Sequence, residues 1–141
     1  MDSVYLSFLW HMHQPYYKNL YTGEYLLPWV LLHGTKDYFD MAAMLKDFDG
    51  LKQNFNVVPS LLLQLIDYQN LEAKDTYLQV FKKPPKDLTA DEKVFILTNF
   101  FNANWDNMVK PHPRFYELLN RRGFYYPRDA INEIKDYFND E

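Results

Sequence analysis

The stretch Val4-Tyr5-Leu6-Ser7-Phe8-Leu9-Trp10-His11-Met12-His13-Gln14-Pro15-Tyr16-Tyr17 can be little other than a strand that ends in polar chemistry. Its first half is apolar and aromatic and of strand length, and Pro15 stops the ladder because it has no N–H to donate. Side chains alternate along a strand, so His11 and His13 share a face and Met12 takes the other. Two imidazoles at the carboxyl end of a first strand lie where parallel α/β sheets and barrels bind ligands. A lone histidine there is read as a core cap; two on one face, followed by Gln-Pro and two tyrosines, favour a site.

The rest of the chain is expected to build around that strand. Residues 16–27 read as a polar, Gly-marked loop on the rim of a cleft, with Glu24 a solvated acid. Pro28 to Gly34 presents Trp29 and His33 beside Val30, Leu31 and Leu32, and the residues leave Trp29 open between a sugar-stacking platform and a core side chain. Thr35 is expected to cap a helix that runs on Tyr38, Met41, Ala42 and Leu45 to a stop at Gly50, with Asp37 favoured in its first turn by the helix dipole. Gln53 to Val58 reads as a second strand ended by Pro59. Ser60 is expected to cap a helix from Leu61 to Tyr68, with Leu61, Leu62, Leu65 and Ile66 on its buried face.

Strand, helix, strand, helix is the pattern of a parallel sheet with right-handed crossovers. After Leu71 the strand signal stops. Leu71 to Phe81 reads as a short helix, and Lys82-Lys83-Pro84-Pro85-Lys86 as a break. Thr89 and Glu92 form a capping box for a helix from Ala90 to about Ala103, with Val94, Phe95, Leu97, Thr98 and Phe101 facing a core. Pro111-His112-Pro113 separates it from a helix over Phe115 to Leu119 ending near Gly123, and Arg128 to Phe138 reads as a last helix with Ile131, Ile134 and Phe138 on one face. The expected fold is α/β: two βα units that begin a parallel (β/α) barrel, followed by a helical insertion, all in one domain over residues 1–141.

Four further segments carry a resemblance. With His13-Gln14-Pro15 they are Leu27-Pro28-Trp29-Val30 with His33-Gly34-Thr35-Lys36-Asp37-Tyr38, then Phe55-Asn56-Val57-Val58-Pro59-Ser60-Leu61-Leu62, then Phe100-Phe101-Asn102-Ala103-Asn104-Trp105. In this order they resemble the amino-terminal portion of glycoside hydrolase family 57, the retaining enzymes of α-amylase, 4-α-glucanotransferase, amylopullulanase and branching type, and the likeness covers nearly the whole chain. It implies a seven-stranded barrel and an α-1,4-glucan or malto-oligosaccharide substrate. It also makes His13 a residue lining the subsite of the sugar to be cleaved, with Gln14 supporting the turn and His11, Trp29 and His33 as further substrate contacts. Leu31 stands where the family pattern often carries arginine, which removes a polar contact expected at that position.

Retaining hydrolysis needs two carboxyl groups roughly 5–5.5 Å apart, supplied in a barrel by the ends of different strands. Neither expected strand ends in Asp or Glu. A barrel of this class takes roughly 250 residues and the chain has 141. The nucleophilic Glu and acid/base Asp are therefore expected beyond Glu141, and Glu24, Asp37 and Glu141 are not assigned those roles. The chain alone is expected to be inactive, completed by the remainder of the barrel or by a complementary chain.

Two rivals use the same residues. His-x-His at a first strand end also holds zinc in metal-dependent hydrolases. Alternatively the chain is a non-catalytic remnant that binds glucan weakly or needs a partner, since an incomplete sheet leaves an edge unpaired.

Composition narrows the partners. Net charge is −4 with no Lys/Arg cluster, which argues against nucleic acid. Cysteine is absent, so disulfides and thiolate metal sites are excluded. Aromatics at 18% suit sugar-stacking walls, although most of the 12 Tyr and 11 Phe must fill a core. Asp2 in place of a basic leader, and no apolar run near the roughly 18 residues of a span, lead to an expectation of a cytoplasmic protein with no membrane partner. No cofactor is expected.

Overall fold

The strand end that the sequence announces is in place, but it is short. The computed structural model describes residues 4–124, and the helix expected over Arg128 to Phe138 lies outside them. Strand β1 (Leu9–Met12) pairs in parallel with β3 (Asn54–Val57), in the register Leu9↔Asn54, Trp10↔Phe55, His11↔Asn56, Met12↔Val57. Trp10 meets Phe55 edge to face at 5.7 Å, so the inward face of this pair is aromatic. Met12 joins Val30 and Leu61 in the core, with Tyr38, Phe55, Leu65 and Tyr68 packed around it. The other face carries Leu9, His11, Asn54 and Asn56, all exposed.

Between the two strands lie α1 (Trp29–Thr35), α2 (Asp37–Ala43) and a 3-10 turn over Met44–Asp47. Helix α1 covers most of the segment 28–34, to which the sequence assigned no element. Pro28 stands at its amino end, where a missing N–H costs nothing, and its carbonyl accepts from Leu32 N at 3.1 Å. Thr35 therefore closes α1 instead of capping α2: its hydroxyl donates back to Leu31 O at 2.8 Å. Gly34 is a packing residue, since a Cβ there would stand 2.7 Å from Leu65 Cδ2 of the facing helix.

Helix α3 (Pro59–Gln69) follows β3 directly, with Pro59 in its first turn and Val58 at the cap. Ser60 makes no cap; its hydroxyl donates to Gln14 O at 3.0 Å. The expected apolar face is also shifted. Leu61 is fully buried, but Leu62 and Ile66 are 50% and 40% exposed, and the stripe continues through buried Gln64, Leu65 and Tyr68. Spacing of 3.6 residues selects 61, 64, 65 and 68; a stripe built on leucine identity alone passes over the glutamine.

A second parallel pair, β2 (Glu24–Tyr25) with β4 (Lys74–Asp75), corrects both the loop expected at 16–27 and the absence of strands after Leu71. Two-residue strands have no alternation to read. Side chains hold them: Asp75, fully buried, accepts from Tyr68 Oη at 2.7 Å and from Tyr77 N at 2.8 Å, and so caps α4 (Thr76–Lys82). Asp67 takes Lys18 Nζ at 2.6 Å and the hydroxyl of buried Tyr25 at 3.0 Å. The Lys18 ammonium, then the Tyr25 hydroxyl, hold the Asp67 carboxyl below its ordinary range against the opposing effect of burial. A depressed folded pKa means the contribution is present above the unfolded carboxylate value of about 3.9 and is lost as pH falls through the folded one. Urea midpoints should thus fall more steeply between about pH 5 and about pH 3 for the wild type than for Asp67→Asn; parallel slopes exclude Asp67 as the source.

These elements form one compact unit, up to Phe81; the other begins at Lys82. In the second unit a 3-10 turn over Pro85–Asp87 precedes α5 (Ala90–Asn99). Its capping box is as expected, with Glu92 N donating to Thr89 Oγ1 and Thr89 N to Glu92 Oε2. The helix ends four residues early, and Thr98 is exposed rather than core-facing. A π-helical turn (Trp105–Val109) and α6 (Pro113–Arg122) close on a core of Phe101, Val109 and Leu119. Gly123, at φ +93°, ends α6 in a conformation only glycine adopts easily. The architecture is mixed α/β with short parallel strands, and it fits part of a barrel.

Candidate functional site

The site is assembled where β1 stops. His11 and His13 stand on the same side of the chain, as alternation requires, with rings 5.5 Å apart and nearly perpendicular. Both are exposed. Nδ1 of His11 is 3.1 Å from Asn56 Oδ1, its register partner on β3, and donates to it in the tautomer protonated at Nδ1. No described residue hydrogen-bonds the ring of His13.

Trp29 and His33 lie one turn apart on α1, and their rings are 6.4 Å apart. The ring of Tyr38 follows at 6.2 Å from His33. His33 Nδ1 pairs with Asp37, and that bond is the main cause that lowers the Asp37 carboxyl from its ordinary value, with Lys36 adding to it. The helix dipole is only part of what places Asp37, since its carboxylate also pairs with His33.

Tyr38 joins the two groups. Its hydroxyl donates to His13 O at 3.0 Å and accepts from Gln14 Nε2 at 3.0 Å. Tyr17 donates to Gln14 Oε1 at 3.1 Å, and burial pushes its phenol up in pKa, which keeps it a donor. The Gln14 side chain is held between two tyrosines, a supporting position rather than an exposed one. His11 and His13 thus stand at the start of a turn held by side-chain hydrogen bonds, and Trp29 and His33 are linked to it through Tyr38. Asn56, Tyr38, Ser60 and Gln64 support this turn, and none of them was a site candidate in the sequence, where Tyr38 was a helix-stripe residue and Ser60 a cap. Asn56 was findable by pairing the two strands in parallel register; a tyrosine hydroxyl on an apolar helix stripe leaves no signal in periodicity.

Donors for a metal do not gather here. Among the described residues no group of three or more His, Cys, Asp or Glu is placed to hold an ion. The zinc alternative therefore lacks a third protein ligand among the described residues. No carboxylate stands at the end of the β1–β3 pair: β1 runs into His-Gln-Pro and β3 into Val-Pro-Ser, while Glu24 lies exposed on β2 and Asp75, which ends β4, is buried against Tyr68 and the start of α4. Glu141 lies outside the described residues. No helix among them is long and apolar enough to cross a membrane.

A model of one protein family, glycosyl hydrolase family 57, matches residues 7–138. The chain belongs to glycosyl hydrolase family 57. No curated protein and no solved structure matches it. Family 57 membership places the chain, at the level of the family, among proteins that act on glycosidic bonds of carbohydrates.

Proposed function

We propose that this sequence is the amino-terminal part of the barrel catalytic domain of a retaining α-glucan-acting family 57 enzyme, of α-amylase, 4-α-glucanotransferase or amylopullulanase type. It supplies substrate-binding residues and not the catalytic pair. The observation that carries the reading is the two-faced β1–β3 pair within a family 57 match: Trp10, Met12 and Phe55 lie on the inward face with Val30 and Leu61, while His11 and Asn56 occupy the bare face at the carboxyl end. In a barrel the face turned away from the helices is the interior, and ligands bind at its carboxyl-terminal rim.

In this reading His13 donates to and accepts from hydroxyls of the sugar ring at the scissile bond, and His11 holds a neighbouring hydroxyl through Nε2. Trp29 offers its ring face to a pyranose, and His33, fixed by Asp37, contacts the same chain of sugars. Gln14 acts indirectly by stiffening the turn. Exposed Phe8, Leu9 and Val57 beside the two strands are surface for the remaining strands of the barrel or for a complementary chain.

Isothermal titration of the chain with maltoheptaose, with cellohexaose as the β-linked control, tests the proposal. The expected result is weak, saturable binding of maltoheptaose alone and no release of reducing ends. Absence of binding, or an equal response to cellohexaose, contradicts it.

A further inference from the structure

Backbone carbonyls after β1 are answered in succession, each by a different group. Met12 O accepts from Val58 N at 3.2 Å, which is the last rung of the strand pairing. Beyond it the ladder cannot continue through Pro15, and side chains take over: Tyr38 Oη donates to His13 O at 3.0 Å, Ser60 Oγ to Gln14 O at 3.0 Å, and Gln64 Nε2 to Pro15 O at 2.9 Å. The last of these donors is the unusual one. Gln64 is fully buried, one turn after Ser60 on α3. Its second amide proton goes to Ser60 O at 2.8 Å, and its Oε1 accepts from Tyr17 N at 2.8 Å. Both donors and the acceptor are engaged, which is close to the capacity of a carboxamide.

We infer that Gln64 is a positioning residue for the His13 site, its buried amide clamping Pro15 and Tyr17 so that the turn presents the His13 imidazole in one orientation. A purely apolar residue fits the same helix stripe and leaves the Pro15 carbonyl and the Tyr17 amide without partners. A glutamate has no proton to give either carbonyl while ionised. The amide is therefore selected by the turn it holds, not by the core it sits in. The turn carries no regular structure of its own, so its geometry rests on these side chains. The effect on ligand rests on the glucan-binding proposal above; the effect on His13 does not.

The test is an NMR comparison of the full chain, wild type against Gln64→Met, with exposed Gln69→Met on the same helix as control. In Gln64→Met the His13 ring resonances shift or split while those of His112, in the other unit, stay in place, and the maltoheptaose dissociation constant rises roughly tenfold. Gln69→Met changes neither. A folded Gln64→Met with His13 resonances at their wild-type positions overturns the inference. Should Gln64→Met fail to fold, the wild type decides: the Gln64 side-chain amide protons must exchange with solvent far more slowly than those of Gln69, and equal exchange overturns the inference. If the wild type binds no maltoheptaose, the glucan reading falls while the His13 resonances still judge Gln64.

Discussion

Alanine in place of His13 should lower turnover by on the order of a hundredfold in an enzyme that carries this sequence together with the catalytic carboxylates, with a smaller rise in KM. The size follows from where the imidazole stands. It stands on a turn whose carbonyls are tied by Tyr38, Ser60 and Gln64, so in the proposed role it would meet a sugar hydroxyl without paying to become ordered. Contacts to the hydroxyls of the reacting ring tighten as the ring flattens toward its oxocarbenium-like transition state, which directs their loss into kcat. Steady-state kinetics on maltoheptaose separate the cases. An unchanged kcat with a raised KM makes His13 a uniform binding contact, and unchanged kinetics remove it from the site.

Leu61→Ala has the largest expected effect on stability. Leu61 is fully buried and forms the centre of the first core with Met12 and Val30, where α3 closes on β1. Truncation leaves a cavity that a strand and two helices cannot collapse around, at a cost of about 2–5 kcal/mol. For a domain of this size the melting temperature falls by roughly 10 °C or more. Because Met12 adjoins His13, the same change loosens the strand end, and maltoheptaose affinity should fall with stability. Urea denaturation checks the first effect; a loss below about 1 kcal/mol contradicts the packing described.

The parts of this molecule that were legible in its sequence are those with strong local rules. The proline stops fixed the ends of β1 and β3, alternation put His11 and His13 together, and Thr89 with Glu92 forms the box its spacing demands. What was not legible depends on partners far away in sequence. No element was assigned over residues 28–34, where nothing local tells that the missing Cβ of Gly34 admits Leu65 of α3. Ser60 and Thr35 were given cap roles that local sequence favours, yet the hydroxyl of Ser60 reaches Gln14 O and that of Thr35 turns back to Leu31 O. Strands β2 and β4 are held by Tyr25, Asp67, Tyr68 and Asp75, a polar network with no periodicity. His11 and His13 came from strand alternation, and Trp29 and His33 from the family resemblance; the Tyr38 hydroxyl, which ties the strand end to α2, was not legible in either.

The most direct test of the account is a residue-resolved NMR titration of the chain with maltoheptaose. The resonances of His11, His13 and the Trp29 indole should move together along one saturable curve, while those of Trp105 and His112 of the second unit stay in place. Shifts confined to the second unit, or none at His13 and Trp29 at saturation, contradict the claim that the end of β1 is a glucan-binding site.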